Sequence, residues 1–144
     1  MGRKYRIKRF VILFASILTL LTGITVYICF NSKVIGLDIF NISYQPKWSL
    51  SPVILYLVRS YLADLLWMIS FSFFIQFVMD FRGKRIYLLF LCSSIGLLYE
   101  LLQYLGFVNG TADWFDVLTY LLGCGFTIFF IKILYLGGFH YEKG

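Results

Sequence analysis

The sequence predicts an all-α integral membrane protein, a bundle of four transmembrane helices with the N-terminus and the C-terminus in the cytoplasm. Of its 144 residues, 60% are hydrophobic and only 14% are charged, whereas soluble domains carry roughly 25% charged residues. The apolar residues also fall into long runs, each close to the roughly 20 residues that a helix needs to cross a bilayer. Since these runs take up most of the chain, we expect a single membrane domain over residues 1–144.

The first apolar run covers about 10–30 and follows a basic segment with Arg3, Lys4, Arg6, Lys8 and Arg9. A basic start before an apolar run is also typical of a secretory signal. The apolar part of a signal is shorter, however, about 7–15 residues, and it ends at a small-residue cleavage site. The end of this run offers no such site. We therefore predict a retained signal-anchor helix.

The second predicted span covers about 62–79. The more polar residues 31–50 indicate an external loop, and Ser51 and Pro52 suit the start of a helix, as N-cap and first-turn residue. Two charged residues, Arg59 and Asp64, interrupt the apolar pattern that follows. We therefore expect the residues between Pro52 and the span to be interfacial or tilted.

The third and fourth spans are predicted over about 86–108 and 113–136. A short charged turn at 80–85 precedes the third span. The Asn-Gly-Thr sequence at 109–111 is a turn signal and separates the two spans.

The basic residues near the spans predict the orientation, because cytoplasmic loops carry an excess of Lys and Arg. The N-terminal segment and the 80–85 turn are strongly basic, whereas 109–114 contains neither Lys nor Arg. Lys132 and Lys143, near the last exit from the membrane, agree with this assignment. Four spans place both basic segments on one side, so we predict that both termini are cytoplasmic.

Several function classes are disfavoured. The net charge of +6 does not indicate a nucleic-acid binder, because the basic clusters adjoin apolar runs, where topology signals belong. Cys29, Cys92, Cys124 and His140 are isolated from one another, so neither a disulfide framework nor a Cys/His metal cluster is indicated. The common hydrolase, metalloprotease and nucleotide-binding motifs are absent. The sequence assigns no catalytic residue.

Charged residues from three predicted helices converge at one depth. A charge at the centre of a bilayer costs about 2.5–3.5 kcal/mol on insertion scales. Glu100 lies about 21 Å along the third helix from its cytoplasmic start, at 1.5 Å per residue, and so in the outer half of the bilayer. Asp113 and Asp116 begin the fourth helix from the outside, and Arg59 and Asp64 begin the second.

Helical spacing places the polar residues of each of the last two helices on one face. These faces consist of Gly96, Glu100 and Gln103 on the third helix and of Asp113, Asp116, Tyr120 and Gly123 on the fourth. The simplest arrangement turns the faces toward each other around a hydrated pocket, with the glycines allowing close backbone approach and Arg59 offsetting some of the negative charge. The predicted ligand-binding residues are Arg59, Asp64, Glu100, Gln103, Asp113, Asp116 and Tyr120.

Four of these residues also have a purely structural interpretation. Asp113 can be a helix N-cap, stabilised by free N–H groups and the helix dipole, and Asp116 can share that role. Arg59 can simply extend to the interface to reach water. Glu100 can be hydrogen-bonded between helices without any ligand. The convergence of these residues is more informative than any one of them.

The order of these residues also forms a motif. Glu100 and Gln103 form a Glu-x-x-Gln pair near the end of one helix, and Asp116, early in the next, is followed seven residues later by Gly123. With Asp64 near the start of the preceding helix, this pattern resembles that of the VanZ-like family of small bacterial membrane proteins.

The resemblance covers about 61–125. Many members of the family have Asn in place of Tyr120 and a basic residue in place of Gly110-Thr111, and a related group of uncharacterised membrane proteins has Tyr in the Asn position. The resemblance implies a multi-pass protein of the bacterial plasma membrane and cell envelope. The founding member of the family is linked to glycopeptide-antibiotic resistance, but no mechanism comes with the resemblance.

Three functions fit these features. The first is a site that binds or modifies an envelope lipid, a lipid-linked precursor or its head group; a divalent cation could take part, since carboxylates suit hard cations. Two acids can serve as acid and base, but no nucleophile is indicated, so enzymatic turnover stays open. The second is a non-catalytic assembly or accessory subunit with a membrane-protein partner. The third, a proton-coupled transporter, ranks last because the inner half of the spans is uncharged.

Overall fold

The protein is described by a computed structural model, which covers residues 3–30, 51–81, 84–108 and 113–136. These residues form helices and no strands. The elements are α1 (Arg3–Phe30), α2 (Pro52–Leu57), a π-helical turn (Val58–Leu62), α3 (Ala63–Met79), α4 (Ile86–Tyr104) and α5 (Trp114–Leu136).

Four helices in the described residues are long and apolar enough to cross a membrane: Tyr5–Phe30, Pro52–Met79, Ile86–Tyr104 and Trp114–Tyr135. The prediction of an all-α chain with four potential transmembrane helices is therefore confirmed. The predicted external loop at 31–50 and the predicted turn at 109–111 lie outside the described residues.

The second membrane helix begins at Pro52, earlier than the predicted start at Leu62. The Ser51 hydroxyl caps it by accepting a hydrogen bond from the backbone N–H of Ile54 at 3.4 Å. The chain then stays helical through the π-helical turn, because a helix satisfies its own backbone groups whatever the polarity of its side chains. The charged residues that shortened the predicted span do not interrupt the helix.

Helix α4 ends at Tyr104, before the predicted boundary at Val108. Gly106 has a φ of 75°, and its N–H donates to the carbonyl of Gln103 at 3.0 Å. The N–H of Phe107 donates to the carbonyl of Leu102 at 2.9 Å. This pair of bonds is a Schellman motif, which satisfies the last carbonyls and requires a left-handed residue, usually Gly.

Helix α3 lies at the centre of the bundle and contacts α1, α4 and α5, whereas α1 and α5 contact each other much less. Small polar residues form part of the α1–α3 interface. The Ser16 hydroxyl donates to the Ser70 carbonyl at 2.9 Å, and the Ser70 hydroxyl donates to the Ser16 carbonyl at 2.8 Å. Small side chains of this kind let membrane helices approach closely and supply hydrogen bonds between them.

The apolar core joins α3, α4 and α5, and Ile12 of α1 also packs into it. Its buried side chains include Met68 and Phe73 of α3, Leu88 of α4 and Ile131 of α5. The core also contains polar contacts, since the hydroxyl of Ser72 lies 3.4 Å from the Cys124 sulfur. The core residues keep the three helices in a fixed register and so fix the level at which their acidic residues lie.

The charged residues separate along the bundle. Four of the described acids, Asp64, Glu100, Asp113 and Asp116, lie toward one end of the helices, which we call the acidic end, whereas Asp80 lies toward the other. The described bases Arg6, Lys8, Arg9, Lys84, Arg85 and Lys132 lie toward the opposite end, which we call the basic end. Helices α1 and α4 start at the basic end, and α2 and α5 start at the acidic end.

Candidate ligand-binding site

Glu100 is the buried acid of the acidic end, with 7% of its surface exposed. Both oxygens of its carboxylate accept hydrogen bonds from α5 or its start. The Tyr120 hydroxyl donates to Oε1 at 3.0 Å, and the backbone N–H of Asp113 donates to Oε2 at 3.1 Å. Glu100 therefore joins α4 to the first turns of α5.

The side chain of Asp113 caps α5. Its Oδ1 accepts the backbone N–H of Phe115 at 3.0 Å, which is the bond that an N-cap residue forms with the first turn. Its Oδ2 accepts the hydroxyl of Tyr61 at 3.1 Å. The N-cap interpretation of Asp113 is therefore confirmed, and the same carboxylate also links α5 to the π-helical turn.

Asp64 and Asp116 complete the acidic cluster. Both are partly exposed, and they lie near enough to Glu100 and to each other for their charges to interact. Among the described residues, neither carboxylate accepts a hydrogen bond or forms an ion pair. These two acids therefore have oxygens available to a ligand, whereas both oxygens of Glu100 are already bonded.

The other two predicted site residues differ in what the structure says of them. Gln103 lies one turn after Glu100, and its Oε1 is buried without a hydrogen-bond partner. The Arg59 side chain lies outside the described residues, although its backbone belongs to the π-helical turn. That Arg59 offsets some of the negative charge of the acidic residues therefore stays a prediction.

A cavity of about 540 Å³ opens beside the cluster. It lies between α4 and the start of α5 and is lined by Leu97, Glu100, Leu101, Tyr104, Asp113, Trp114 and Val117. Its two acids stand against an otherwise apolar and aromatic wall. Such a mixture of apolar lining with a few polar groups is typical of small-molecule sites.

One glycine explains the fit between α4 and α5. A Cβ atom at Gly96 would lie 2.6 Å from Cδ2 of the Tyr120 ring, closer than real contacts allow. Gly96 therefore lets the ring pass across α4 and reach Glu100. Gly123 was expected to face the predicted third span, which is α4 in the structure. It packs instead against α3, where a Cβ atom added at Gly123 would lie 3.2 Å from Cβ of Met68. The reason is that α5 contacts both α3 and α4.

Sequence reasoning missed Tyr61. Its hydroxyl bonds to Asp113, and its ring centroid lies 6.0 Å from that of Tyr56 and 6.1 Å from that of Phe115. The signal available was its position three residues before Asp64, one helical turn away. The π-helical turn between Val58 and Leu62 changes the phase of the helix at this point, and π-turns are frequent at functional sites.

The arrangement suits binding through charge and hydrogen bonds. Among residues 3–30, 51–81, 84–108 and 113–136, no group of three or more His, Cys, Asp or Glu side chains is placed to hold a metal ion. The carboxylates of Asp64 and Asp116 can accept hydrogen bonds from donors or attract a cation, and Gln103 offers a further acceptor.

Comparison with known proteins gives no relative: no family model, no curated protein and no solved structure matches this chain. The resemblance to the VanZ-like family therefore rests on the motif residues alone.

Proposed function

We propose that this chain is a multi-pass protein of the bacterial plasma membrane that binds an envelope lipid by its head group at the acidic end. In this proposal both termini are cytoplasmic, so that the acidic end faces the outer leaflet. The distribution of Lys and Arg supports the orientation, because the described bases Arg6, Lys8, Arg9, Lys84, Arg85 and Lys132 all lie toward the basic end.

The observation that carries the proposal is the composition of the cavity. Glu100 and Asp113 lie on one part of its wall, and Leu97, Leu101 and Val117 form an apolar part. A lipid has the same two parts, a polar head group and an apolar chain. The cavity lies between helices that are long and apolar enough to cross a membrane, so a lipid could enter it sideways from the bilayer.

The charge of the cluster indicates which head groups fit. Four carboxylates lie at the acidic end, and the backbone of one base, Arg59, belongs to the π-helical turn at the same end. The acids therefore outnumber the bases there. A bare phosphate would be repelled by these acids. A head group that offers an ammonium or several hydroxyl groups would instead be attracted by the negative charge of Glu100 and Asp113 in the cavity wall. Asp64 and Asp116 lie beside this wall and add to that charge.

Lipid retention by purified protein tests this proposal. Phosphatidylethanolamine, which carries an ammonium group, is the probe, and native mass spectrometry measures how much of it stays bound. Replacing Asp116→Asn or Glu100→Gln removes one negative charge from the cluster. We expect Asp116→Asn to retain at least about tenfold less lipid than the parent protein, since a hydrogen bond to a charged group contributes about 1.5–3 kcal/mol. Glu100→Gln should also retain less lipid, because it lowers the negative charge of the cavity wall.

Asp80→Asn is the matched control. It also replaces a carboxylate by an amide, but at the basic end. Asp80 has a φ of 52°, a conformation that Asn tolerates well. The control should retain the probe as the parent protein does. Undiminished retention by the Glu100 and Asp116 variants, at normal protein levels, would refute the lipid site.

Modification of the head group is a further step that the same acids could serve, as acid and base. A link to glycopeptide resistance comes only from the VanZ-like resemblance. It is tested by the glycopeptide susceptibility of a host that expresses the parent protein or the Asp116→Asn variant. If the link holds, the parent protein raises the resistance of the host and the variant does not. Equal susceptibility of the two hosts would exclude a link to glycopeptide resistance.

One observation favours a second candidate, a non-catalytic accessory subunit of an envelope complex. Both oxygens of Glu100 are already bonded to Tyr120 and to the backbone of Asp113, which is what a purely structural role requires. This alternative predicts that Glu100→Gln unfolds the bundle and that a fixed partner copurifies with the parent protein. Normal folding of the variant together with lost lipid retention would exclude it.

A further inference from the structure

The start of α1 is fixed against the end of α3 at the basic end. The hydroxyl of Tyr5 donates to the Asp80 carboxylate. Arg9 Nη2 donates to the carbonyl of Phe77 at 2.6 Å, and the Arg9 guanidinium carbon lies 4.9 Å from the centroid of the Phe77 ring. Arg9 therefore satisfies a carbonyl in the last turn of α3 and has a structural role.

Positive charge gathers around this contact without matching negative charge. Asp80 is the acid that the structure describes at this end, against the bases Arg6, Lys8, Arg9, Lys84, Arg85 and Lys132. Within the described part of the chain, none of these bases forms an ion pair with a carboxylate. The basic end therefore presents a concentrated positive charge to whatever lies beside it.

Two of the lysines are positioned over aromatic rings. Lys8 Nζ lies 5.1 Å from the Tyr135 ring centroid, and Lys84 Nζ lies 5.6 Å from the Tyr87 ring centroid. A ring attracts a cation but accepts none of its hydrogen bonds strongly. The N–H groups that point away from the rings stay available to an acceptor. Tyr near the ends of membrane helices is typical of the head-group level.

The guanidinium of Arg85 has a donor without an acceptor among the described residues. Its Nε is buried without a hydrogen-bond partner, and a buried donor without an acceptor is costly. Arg85 immediately precedes α4, whose first turn contains no acidic residue and whose start has no side-chain cap. Positive side chains are unfavourable next to the positive end of a helix dipole. A negatively charged group beside Lys84 and Arg85 would offset this unfavourable interaction with the helix dipole.

We propose that the basic end binds the phosphate groups of anionic phospholipids in the adjoining leaflet, with Lys8, Lys84 and Arg85 as the principal contacts. Basic clusters next to membrane helices are recognised by anionic head groups. Each Lys or Arg near such a surface strengthens binding by about fivefold. This lipid differs from the ligand proposed for the acidic end, and the two sites lie at opposite ends of the bundle.

The test uses the whole protein in detergent, titrated with phosphatidylglycerol and, separately, with phosphatidylcholine, which is zwitterionic and has no net charge. Native mass spectrometry measures bound lipid for the parent and for Lys84→Gln/Arg85→Gln. We expect phosphatidylglycerol to bind roughly 25-fold more weakly to this double variant if the two charges act independently. Phosphatidylcholine binding should not change. Lys8→Gln, on a different helix, provides a second variant and should weaken binding by about fivefold.

The matched control is Lys84→Arg/Arg85→Lys, which keeps both charges and should keep phosphatidylglycerol binding. Phosphatidylethanolamine retention by the acidic end should be unaffected in both double variants, so failure of one proposal is distinguishable from failure of the other. Equal phosphatidylglycerol binding by the parent and the neutral variants would overturn the inference. Displacement of phosphatidylglycerol by soluble inorganic phosphate would overturn the lipid assignment in favour of a free-anion site.

Discussion

At the scale of single residues, Tyr120 connects helix packing with the acidic cluster. Its ring fills the space that Gly96 leaves open on α4, and its hydroxyl donates to Glu100. The side chain is 9% exposed. A change on either side of this contact should therefore alter both the stability of the bundle and the position of the carboxylate.

Replacing Tyr120→Phe removes the hydroxyl and keeps the ring. We expect the free energy of unfolding to fall by about 0.6–1.7 kcal/mol, the range measured for hydrogen bonds between membrane helices. Unfolding in mixed detergent micelles, followed by circular dichroism, measures the change. Tyr99→Phe is the control, because Tyr99 is 45% exposed and its hydroxyl forms no hydrogen bond with the described residues. Equal stability of the two variants would contradict the role of the bond to Glu100.

Replacing Gly96→Ala places a Cβ atom 2.6 Å from the Tyr120 ring. The ring or the helix has to move, and overpacking of this kind costs about 1–3 kcal/mol. Gly125→Ala is the control on α5, since a Cβ there has no neighbouring atom within 4 Å. We expect it to leave stability unchanged or to raise it by up to about 1 kcal/mol through helix propensity. The same unfolding assay distinguishes the two, and a stable Gly96→Ala would rule out close packing of α4 on α5.

At the scale of elements, α1 belongs to the bundle through α3 and contributes nothing to the lining of the cavity. Ser16 and Ser70 bond to each other's carbonyls. The existence of α1 was predictable from its long apolar run and the basic segment before it. Its packing partner was not, because nearly every position in an apolar helix could face another helix.

A double-mutant cycle on Ser16→Ala and Ser70→Ala tests this interface. The two hydroxyl oxygens also lie 3.4 Å apart, so the effects on the free energy of unfolding should be non-additive, with a coupling of about 0.6 kcal/mol or more. Thr22→Ala with Ser70→Ala is the control cycle, because the Thr22 hydroxyl bonds to the Leu18 carbonyl of its own helix. That pair should be additive. Additivity in both cycles would place α1 elsewhere on the bundle.

The number of helices was predictable from the sequence, but the exact ends of the helices were not. Long apolar runs were sufficient to predict four helices, because the bilayer thickness fixes their length. The end of α4 depended on the left-handed conformation of Gly106, a local signal that competes with the apolar residues after it. The π-helical turn at Val58–Leu62 changes which side chains share a helix face, and no sequence pattern indicates it. The contact between Tyr61 and Asp113 was therefore not predictable from helical spacing.

At the scale of the whole molecule, charge is separated along the bundle. The carboxylates of Asp64 and Asp116 lie near that of Glu100, because helix length and register bring three chain segments to one level of the bundle. Sequence could predict this level because each residue adds a fixed rise along a helix. It could not predict which oxygens are already bonded, since that depends on side-chain contacts between helices.

The predicted orientation can be tested by labelling in intact cells with a membrane-impermeant maleimide. Phe107→Cys places a thiol at a position that is 77% exposed at the acidic end, and Lys84→Cys places one at the basic end. With Cys29→Ser as background, the remaining Cys92 and Cys124 are fully buried and should not react. We expect Phe107→Cys to be labelled in intact cells and Lys84→Cys only after permeabilisation. The reverse labelling pattern would show that the topology is opposite to the predicted one.

If the cavity between α4 and α5 holds a lipid, a larger side chain in the cavity should displace that lipid. Leu97→Trp adds a large side chain to the cavity wall, whereas Leu98→Trp makes the same change at a neighbouring exposed position outside the lining. Native mass spectrometry compares retained phosphatidylethanolamine. We expect the Leu97→Trp variant to lose the lipid and the Leu98→Trp variant to keep it. Equal retention by these two folded variants would contradict lipid binding in the cavity.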